Sequence, residues 1–297
     1  MKHRVTTYIH KHELLDKQQP VLVCVSGGAD SVALLDVLHE AGYVCVAAHC
    51  NFHLREEESN RDEQFVRALC ERMNVPLETA SFETAAYARA HKMSIEMAAR
   101  ELRYTWFAAM ADKHHCQAIA VAHHQNDQAE TLLLNLKRGA GLRGLAGMRP
   151  KSVNAYAPNS VPIVRPLLCT TRDYIEHYLR DKRGMEWVTD STNSDTSIAR
   201  NAVREQLRQY SKTEIENMSE TATRLQGYVD ILDGKNTREA DLARLYENLR
   251  EYNFAEIEKI YEALQKGEGG KVFRSKTHVA TIRRGKLHID KCDTTAS

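Results

Sequence analysis

An α/β architecture, a parallel sheet with helices on both faces followed by a smaller helical and β-hairpin C-terminal appendage, is the fold class that this 297-residue sequence predicts. Three observations carry it. Short apolar runs alternate with helix-length amphipathic stretches up to residue 138, the pattern of strand–helix–strand units. Polar or glycine-rich breaks follow the apolar runs, where such folds turn from strand to helix. From about residue 213 the composition shifts to a Glu-rich helical pattern that closes on two β-like runs.

Residues 21–25 (VLVCV) are uniformly apolar, as expected of a strand buried on both faces. The following VALLDVLHEAG has helical spacing and stops at Gly42, a natural helix end. Residues 43–49 form a second buried strand, 58–74 an amphipathic helix and 77–82 a third strand. Residues 84–91 and 94–114 are helical in pattern, 117–122 is a fourth strand, and a helix runs from about 125 to 138. Residues 139–160, rich in Gly, Pro and Asn, read as a mobile loop. Residues 162–168 are extended and 171–183 helical; 271–280 and 281–290 suggest a hairpin turning near Arg284 and Gly285. The sum is a Rossmann-like parallel sheet, whose ligands bind beyond the carboxyl ends of the strands. The polar segments after strands one, two and four are expected to converge on one crevice. The division expected is 1–212 for the catalytic domain and 213–297 for the helical segment with its terminal hairpin.

Hydrophobic residues make up 42% and charged residues 27%, an ordinary soluble composition. A net charge of +1 gives no global pull on nucleic acid, so any such surface must be a local patch. The seven cysteines are odd in number and lack a Cys-x-x-Cys pair; free thiols in a reducing compartment are expected, and zinc is not. The N-terminus has no signal-peptide core and no stretch is long and apolar enough to span a bilayer, so no membrane partner and a cytoplasmic location are expected.

The sharpest motif is Ser26-Gly27-Gly28-Ala29-Asp30-Ser31, between a buried strand and a helix. Adjacent glycines let the backbone approach an anion and present N–H groups, and the helix start adds a positive dipole end. Ser26 and Ser31 can donate to phosphate oxygens. Asp30 is an anion beside an anion, a conflict that Mg²⁺ removes by bridging carboxylate and phosphate.

Four further groups carry chemistry. His49, His53 and Arg55 follow strand two and suit nucleotide and phosphate contacts. Arg100 and Arg103 share one helical face and can neutralise a leaving pyrophosphate. His123, His124, Asp127 and Glu130 follow strand four, with the two carboxylates three apart on one face. Such a pair suits a cation, either Mg²⁺ or an ammonium, and it also suits helix capping. Residues 139–147 then hold four glycines, with Lys137, Arg138 and Arg143 alongside, as in a loop that closes over a polyanion.

The hexapeptide resembles the PP-loop of the N-type ATP pyrophosphatases and lacks the Gly-Lys-Ser/Thr of a Walker loop. Within that superfamily residues 18–209 resemble the tRNA(Ile)-lysidine synthases in order and spacing. The carrying segments are His49 to Arg55, Arg103-Tyr104, His123 to Thr131, Leu136 to Met148, Arg165 to Leu168, Asp190 to Asn193, and Arg200, Asn201 and Arg204. The resemblance implies that ATP adenylates the C2 oxygen of the wobble cytidine of a CAU-anticodon tRNA(Ile). Free L-lysine then displaces AMP through its ε-amine. It implies ATP and Mg²⁺, with Ser26, Gly27, Gly28, Ala29, Asp30, Ser31, His49, His53 and His123 around the nucleotide. Asp30 and Asp127 would meet the metal, and Asp30, Arg103, Asp127 and Glu130 would act in catalysis. A homodimer is the assembly the resemblance allows. The alternatives are another PP-loop tRNA-modifying enzyme, such as a thiolase, and a nucleotide-binding module without turnover. The locally basic stretch 271–291 is a further candidate for RNA contact.

Overall fold

The computed structural model describes residues 1–53, 57–189 and 198–292, and of 198–201 the backbone alone. It resolves into two compact units: Met1–Arg138 with Met148–Ser219, and Gly139–Gly147 with Glu220–Ser297.

The first unit begins with α1 (Lys2–Lys11), an element absent from the sequence-based expectation, which buries only Val5 and Ile9. There follow β1 (Val21–Cys24), α2 (Ala29–Glu40), β2 (Cys45–Asn51), α3 (Glu57–Met73), β3 (Leu77–Ser81), α4 (Thr84–Ala90), α5 (Ile95–Lys113), β4 (Ile119–Ala120) and α6 (Gln125–Lys137). The stretch 139–160, read from the sequence as a mobile loop, contains α7 (Leu142–Leu145), which belongs to the second unit, and β5 (Lys151–Ser152), which belongs to the first. Beyond it come β6 (Ile163–Val164), a 3-10 turn at Pro166–Cys169, α8 (Arg172–His177), a π-helical continuation at Tyr178–Arg183, and α9 (Ile198–Leu207). Gly184 closes the π segment in the left-handed conformation, at φ 59°.

The sheet order is β3-β2-β1-β4-β6-β5. Every neighbouring pair is parallel except β5 with β6, so the expected parallel sheet carries one antiparallel edge strand. The β4 ladder is shorter than expected, although Gln117 N still donates to Pro20 O and Val121 N to Val164 O. β1 alternates between the two faces, as strand geometry demands. Val21, Val23 and Val25 join a core with α1, α2 and α3, while Leu22 packs with Tyr104, Phe107 and Ala111 of α5 on the other side. Each such Leu or Val contributes about 1.5–3 kcal/mol on burial. Chain order runs outward from β1 through β2 to β3, then jumps to the opposite side of β1 for β4. That reversal is a topological switch point, and it opens a crevice above the carboxyl ends of β1 and β4.

The division between the units falls inside α10 (Lys212–Leu232), a few residues beyond the boundary expected at 212. The second unit continues with α11 (Arg238–Leu249), a 3-10 turn at Arg250–Tyr252, α12 (Ile257–Gln265), β7 (Val272–Arg274), β8 (His278–Arg283) and β9 (Lys286–Lys291). The expected hairpin is present, and its first half is itself split into β7 and β8, giving a three-stranded antiparallel sheet. Arg284 and Gly285 turn the chain with positive φ, at 49° and 73°. Ala280, Phe273, Leu287 and Ile289 pack on Ile257 and Ile260 of α12. The alternate positions Arg274, Arg283, Lys286 and His288 are exposed.

The seven cysteines are free. No helix among the described residues is long and apolar enough to cross a membrane.

Candidate active site

β1 delivers the chain to its glycine turn, and α2 starts from Gly28. The first helical bond is Val32 N to Gly28 O, so the amides of Ala29, Asp30 and Ser31 precede any i−4 acceptor. These are the donors an anion meets at a helix N-terminus. Gly27 adopts φ +95°, and Val188 N donates to its carbonyl at 2.9 Å. The two serine hydroxyls hold the turn together. Ser31 Oγ donates to Gly28 O (2.9 Å) and accepts from Ser26 N (3.1 Å); the hydroxyls of Ser26 and Ser31 lie 3.1 Å apart. A phosphate contact from either hydroxyl therefore requires an exchange of these internal bonds.

Across the switch point, β4 delivers His123 and His124 to the start of α6. Asp127 Oδ2 accepts from His124 N at 2.9 Å, so Asp127 caps its own helix as well as facing the crevice. Asp30, His124, Asp127 and Glu130 all line one cavity of about 1020 Å³. Six carboxylates border it against three arginines, an acidic excess that favours cations. His124 bridges the two motifs: its Nε2 lies 3.4 Å from Asp30 Oδ1 and its Nδ1 3.5 Å from Asp127 Oδ2.

Two arginines that complete this wall come from far along the chain. Arg172 Nη1 donates to Asp30 Oδ2, and its Nε to Glu176 Oε1 at 2.7 Å. Arg204 Nε donates to the buried Glu130 Oε2 at 2.9 Å. The resemblance singled out Arg204 without a partner; Arg172 carried no local signal at all.

The adjacent histidines are tuned in opposite directions. Burial lowers the His123 pKa to about 4, with Arg165 and Arg100 adding to the fall against the pull of Asp127. Burial opposes charge on His124 too, but Asp127 and Asp30 outweigh it and raise its pKa above the ordinary value. His123 is thus neutral at pH 7, and among the described residues its buried Nδ1 has no hydrogen-bond partner.

Several expected residues lie elsewhere. The segment after β2 does not reach the cavity among the described residues, because β2 stands on the far side of β1 from the switch point. His49 is buried instead, with Nδ1 2.8 Å from Val25 O, and burial lowers its pKa. It buttresses the strand end that carries the loop. His53 is exposed, with φ 49°. Arg103 sits over the Phe52 ring at 4.9 Å, and Arg100 over Tyr104 at 5.0 Å, both away from the carboxylates. Arg143 of α7 pairs with Asp233 at 2.6 Å. Arg55 and the stretch 190–193 lie outside the described residues, as do the side chains of Arg200 and Asn201.

The donors present fit a shared Mg²⁺ site. Among the described residues no group of three His, Cys, Asp or Glu side chains could hold a metal alone. Among the described residues Asp30 Oδ1 is buried without a hydrogen-bond partner, His124 Nε2 being its neighbour at 3.4 Å, and Asp127 borders the same cavity. Mg²⁺ commonly takes one or two carboxylates and completes its shell with substrate phosphates and water.

Residues 1–211 match the PP-loop domain family, and residues 228–292 match the TilS substrate binding domain. A tRNA(Ile)-lysidine synthase of Bacteroides thetaiotaomicron is 43% identical over 301 residues, covering 93% of this chain and 68% of that protein. One from Parabacteroides distasonis is 42% identical over 304 residues, covering 94% and 67%. Among solved structures, the U34-tRNA thiolase NcsA from Methanococcus maripaludis matches with a TM-score of 0.60 at 17% identity, over 75% of this chain and 78% of that one, a likeness of fold.

Proposed function

This chain belongs to the tRNA(Ile)-lysidine synthase family, an ATP-dependent ligase family that forms lysidine on tRNA(Ile), and we propose that its acidic switch-point cavity is where free L-lysine meets the adenylated wobble cytidine of a CAU-anticodon tRNA. The observation that carries this reading is the juxtaposition of the phosphate loop, through Asp30, with Asp127 and Glu130 in one cavity.

The chemistry has two steps. The C2 oxygen of cytidine attacks the α-phosphorus of ATP, and pyrophosphate leaves. The ε-amine of lysine then attacks C2, AMP leaves, and the amine loses a proton. The first step turns a poor leaving oxygen into a phosphate ester. Amides at the start of α2 cradle the phosphates, and Asp30 and Asp127 would hold Mg²⁺, which when bound would offset charge on the phosphates. The second step needs a neutral amine, although free lysine is mostly protonated at pH 7. Glu130 and Asp127 attract the ammonium, and either carboxylate can accept its proton. His123, neutral at pH 7, does not line this cavity and its Nδ1 is buried, so its nucleotide contact draws no support from this geometry. Arg103 lies outside this cavity, so its contact with pyrophosphate depends on where the triphosphate extends. The nucleotide contacts of His49 and His53 have less support: His49 acts through Val25, and His53 lies in solvent.

The test is mass spectrometry of nucleosides from an unmodified CAU-anticodon tRNA incubated with protein, ATP, Mg²⁺ and lysine. Lysidine should appear only with all components, and omission of lysine should leave an AMP-bearing tRNA. Lysine-independent consumption of ATP with no tRNA product would overturn the assignment.

A further inference from the structure

Asp30 stands in the first turn of α2, beside amides that await phosphate, so its charge must be balanced. In the structure Arg172 balances it, Nη1 to Oδ2, across a chain separation of 142 residues. Arg172 is itself held at two points. Its Nε donates to Glu176 Oε1 at 2.7 Å, and its backbone N donates to Asn126 Oδ1 at 2.9 Å. The guanidinium therefore lines the same cavity as Asp30 and contacts it directly. A guanidinium and a divalent cation are rivals for one carboxylate. A guanidinium and a polyphosphate are partners.

We propose that Arg172 is a positioning residue that couples metal binding to nucleotide binding. It caps Asp30 until a polyphosphate enters the cavity. It then transfers to a phosphate oxygen and leaves Asp30 to the cation that accompanies the nucleotide. A cation added to Asp30 alone would face the Arg172 charge at contact distance; a cation added with phosphate would not. Each ligand thereby strengthens the other by the same factor, as linkage requires. This inference rests on the reading of the loop as an ATP site and is independent of the lysine step.

The test is Mn²⁺ binding to the full chain, followed by electron paramagnetic resonance without nucleotide, and separately the affinity of α,β-methylene-ATP without metal. Arg172→Met should tighten nucleotide-free Mn²⁺ binding by at least ~5-fold and weaken the analogue by a similar factor. The tightened Mn²⁺ site should vanish in Arg172→Met combined with Asp30→Asn. A residue that merely ties α8 to α2 would lower the melting temperature and move neither affinity. Unchanged Mn²⁺ binding in Arg172→Met, or a tightened site that survives Asp30→Asn, overturns the proposal. Should Arg172→Met fail to fold by circular dichroism, Arg172→Gln carries the same expectation. Neither measurement contains tRNA or lysine. A failed Mn²⁺ result therefore leaves lysidine formation standing, and missing lysidine leaves this coupling standing. If the unaltered protein does not bind the analogue, both readings fall.

Discussion

Glu130 of α6 and Arg204 of α9 form an ion pair with Nε and Oε2 2.9 Å apart, the Glu130 side chain 4% exposed and that of Arg204 34%. The pair fixes the Glu130 carboxylate in the cavity wall, beside the space an ammonium would enter. Glu130→Gln retains size and polarity but removes charge and basicity. It should still adenylate tRNA while failing to make lysidine at low lysine, and excess lysine should partly restore product. Its stability should fall by about 1.5–3 kcal/mol, the scale of a lost charged hydrogen bond. The measurement is the lysine dependence of lysidine formation beside AMP-tRNA formation; an unchanged KM for lysine and unchanged rate would remove Glu130 from the site.

The phosphate loop depends on one backbone conformation. At Gly27 a β-carbon would meet only ordinary contacts, 3.5 Å from Val188 Cγ2, so space is not the obstacle. The obstacle is the φ of +95°, which side-chain-bearing residues rarely adopt. Gly27→Ala should cost about 1–2 kcal/mol and tilt the amides that follow. ATP KM should rise about tenfold, about 1.4 kcal/mol of binding. Thermal melts and ATP titration check both halves, and wild-type ATP affinity in a normally folded variant would refute the cradle.

His123 and His124 should titrate apart despite being neighbours. His123 is lowered to about 4 from 6.5, so the unfolded chain binds more protons between those values. Its contribution to stability is full above about pH 6.5 and is lost as pH falls toward 4, up to about 3 kcal/mol. His124 is raised, so its contribution is full below its unfolded pKa and is lost as pH rises through the folded value. Nuclear magnetic resonance titration of the two imidazoles should show the two midpoints on opposite sides of 6.5. Coincident midpoints would refute the environments described.

The exposed face of the C-terminal sheet should bear on RNA affinity. Arg283 ends β8 and Arg284 lies in the turn to β9, and both are exposed. Reversing both charges should weaken tRNA binding and reduce the salt dependence by about one unit for each phosphate that is no longer neutralised. Filter binding across a salt series is the assay. Unaltered affinity would make this face structural only.

Much of this was legible in the order of residues. The strand at 21–25, the glycine turn after it and the helix from Ala29 are local: neighbours in sequence are neighbours in space, so composition alone marks them. Asp127 and Glu130 share a helical face for the same reason. The chain written out does not show which charges meet. Asp30 finds Arg172 across 142 residues, and Glu130 finds Arg204 across 74. His49 turns inward onto Val25 because β2 lies on the side of β1 away from the switch point. His123 and His124, identical in type and adjacent, part in protonation because burial prevails at the first, whereas at the second the charges of Asp127 and Asp30 outweigh it. The sequence by itself determined the local elements and the phosphate loop, since those follow from periodicity and backbone freedom. Only the tertiary structure decided the pairing of charges, because electrostatic interaction depends on distance and burial, and both are set by how the sheet orders its strands.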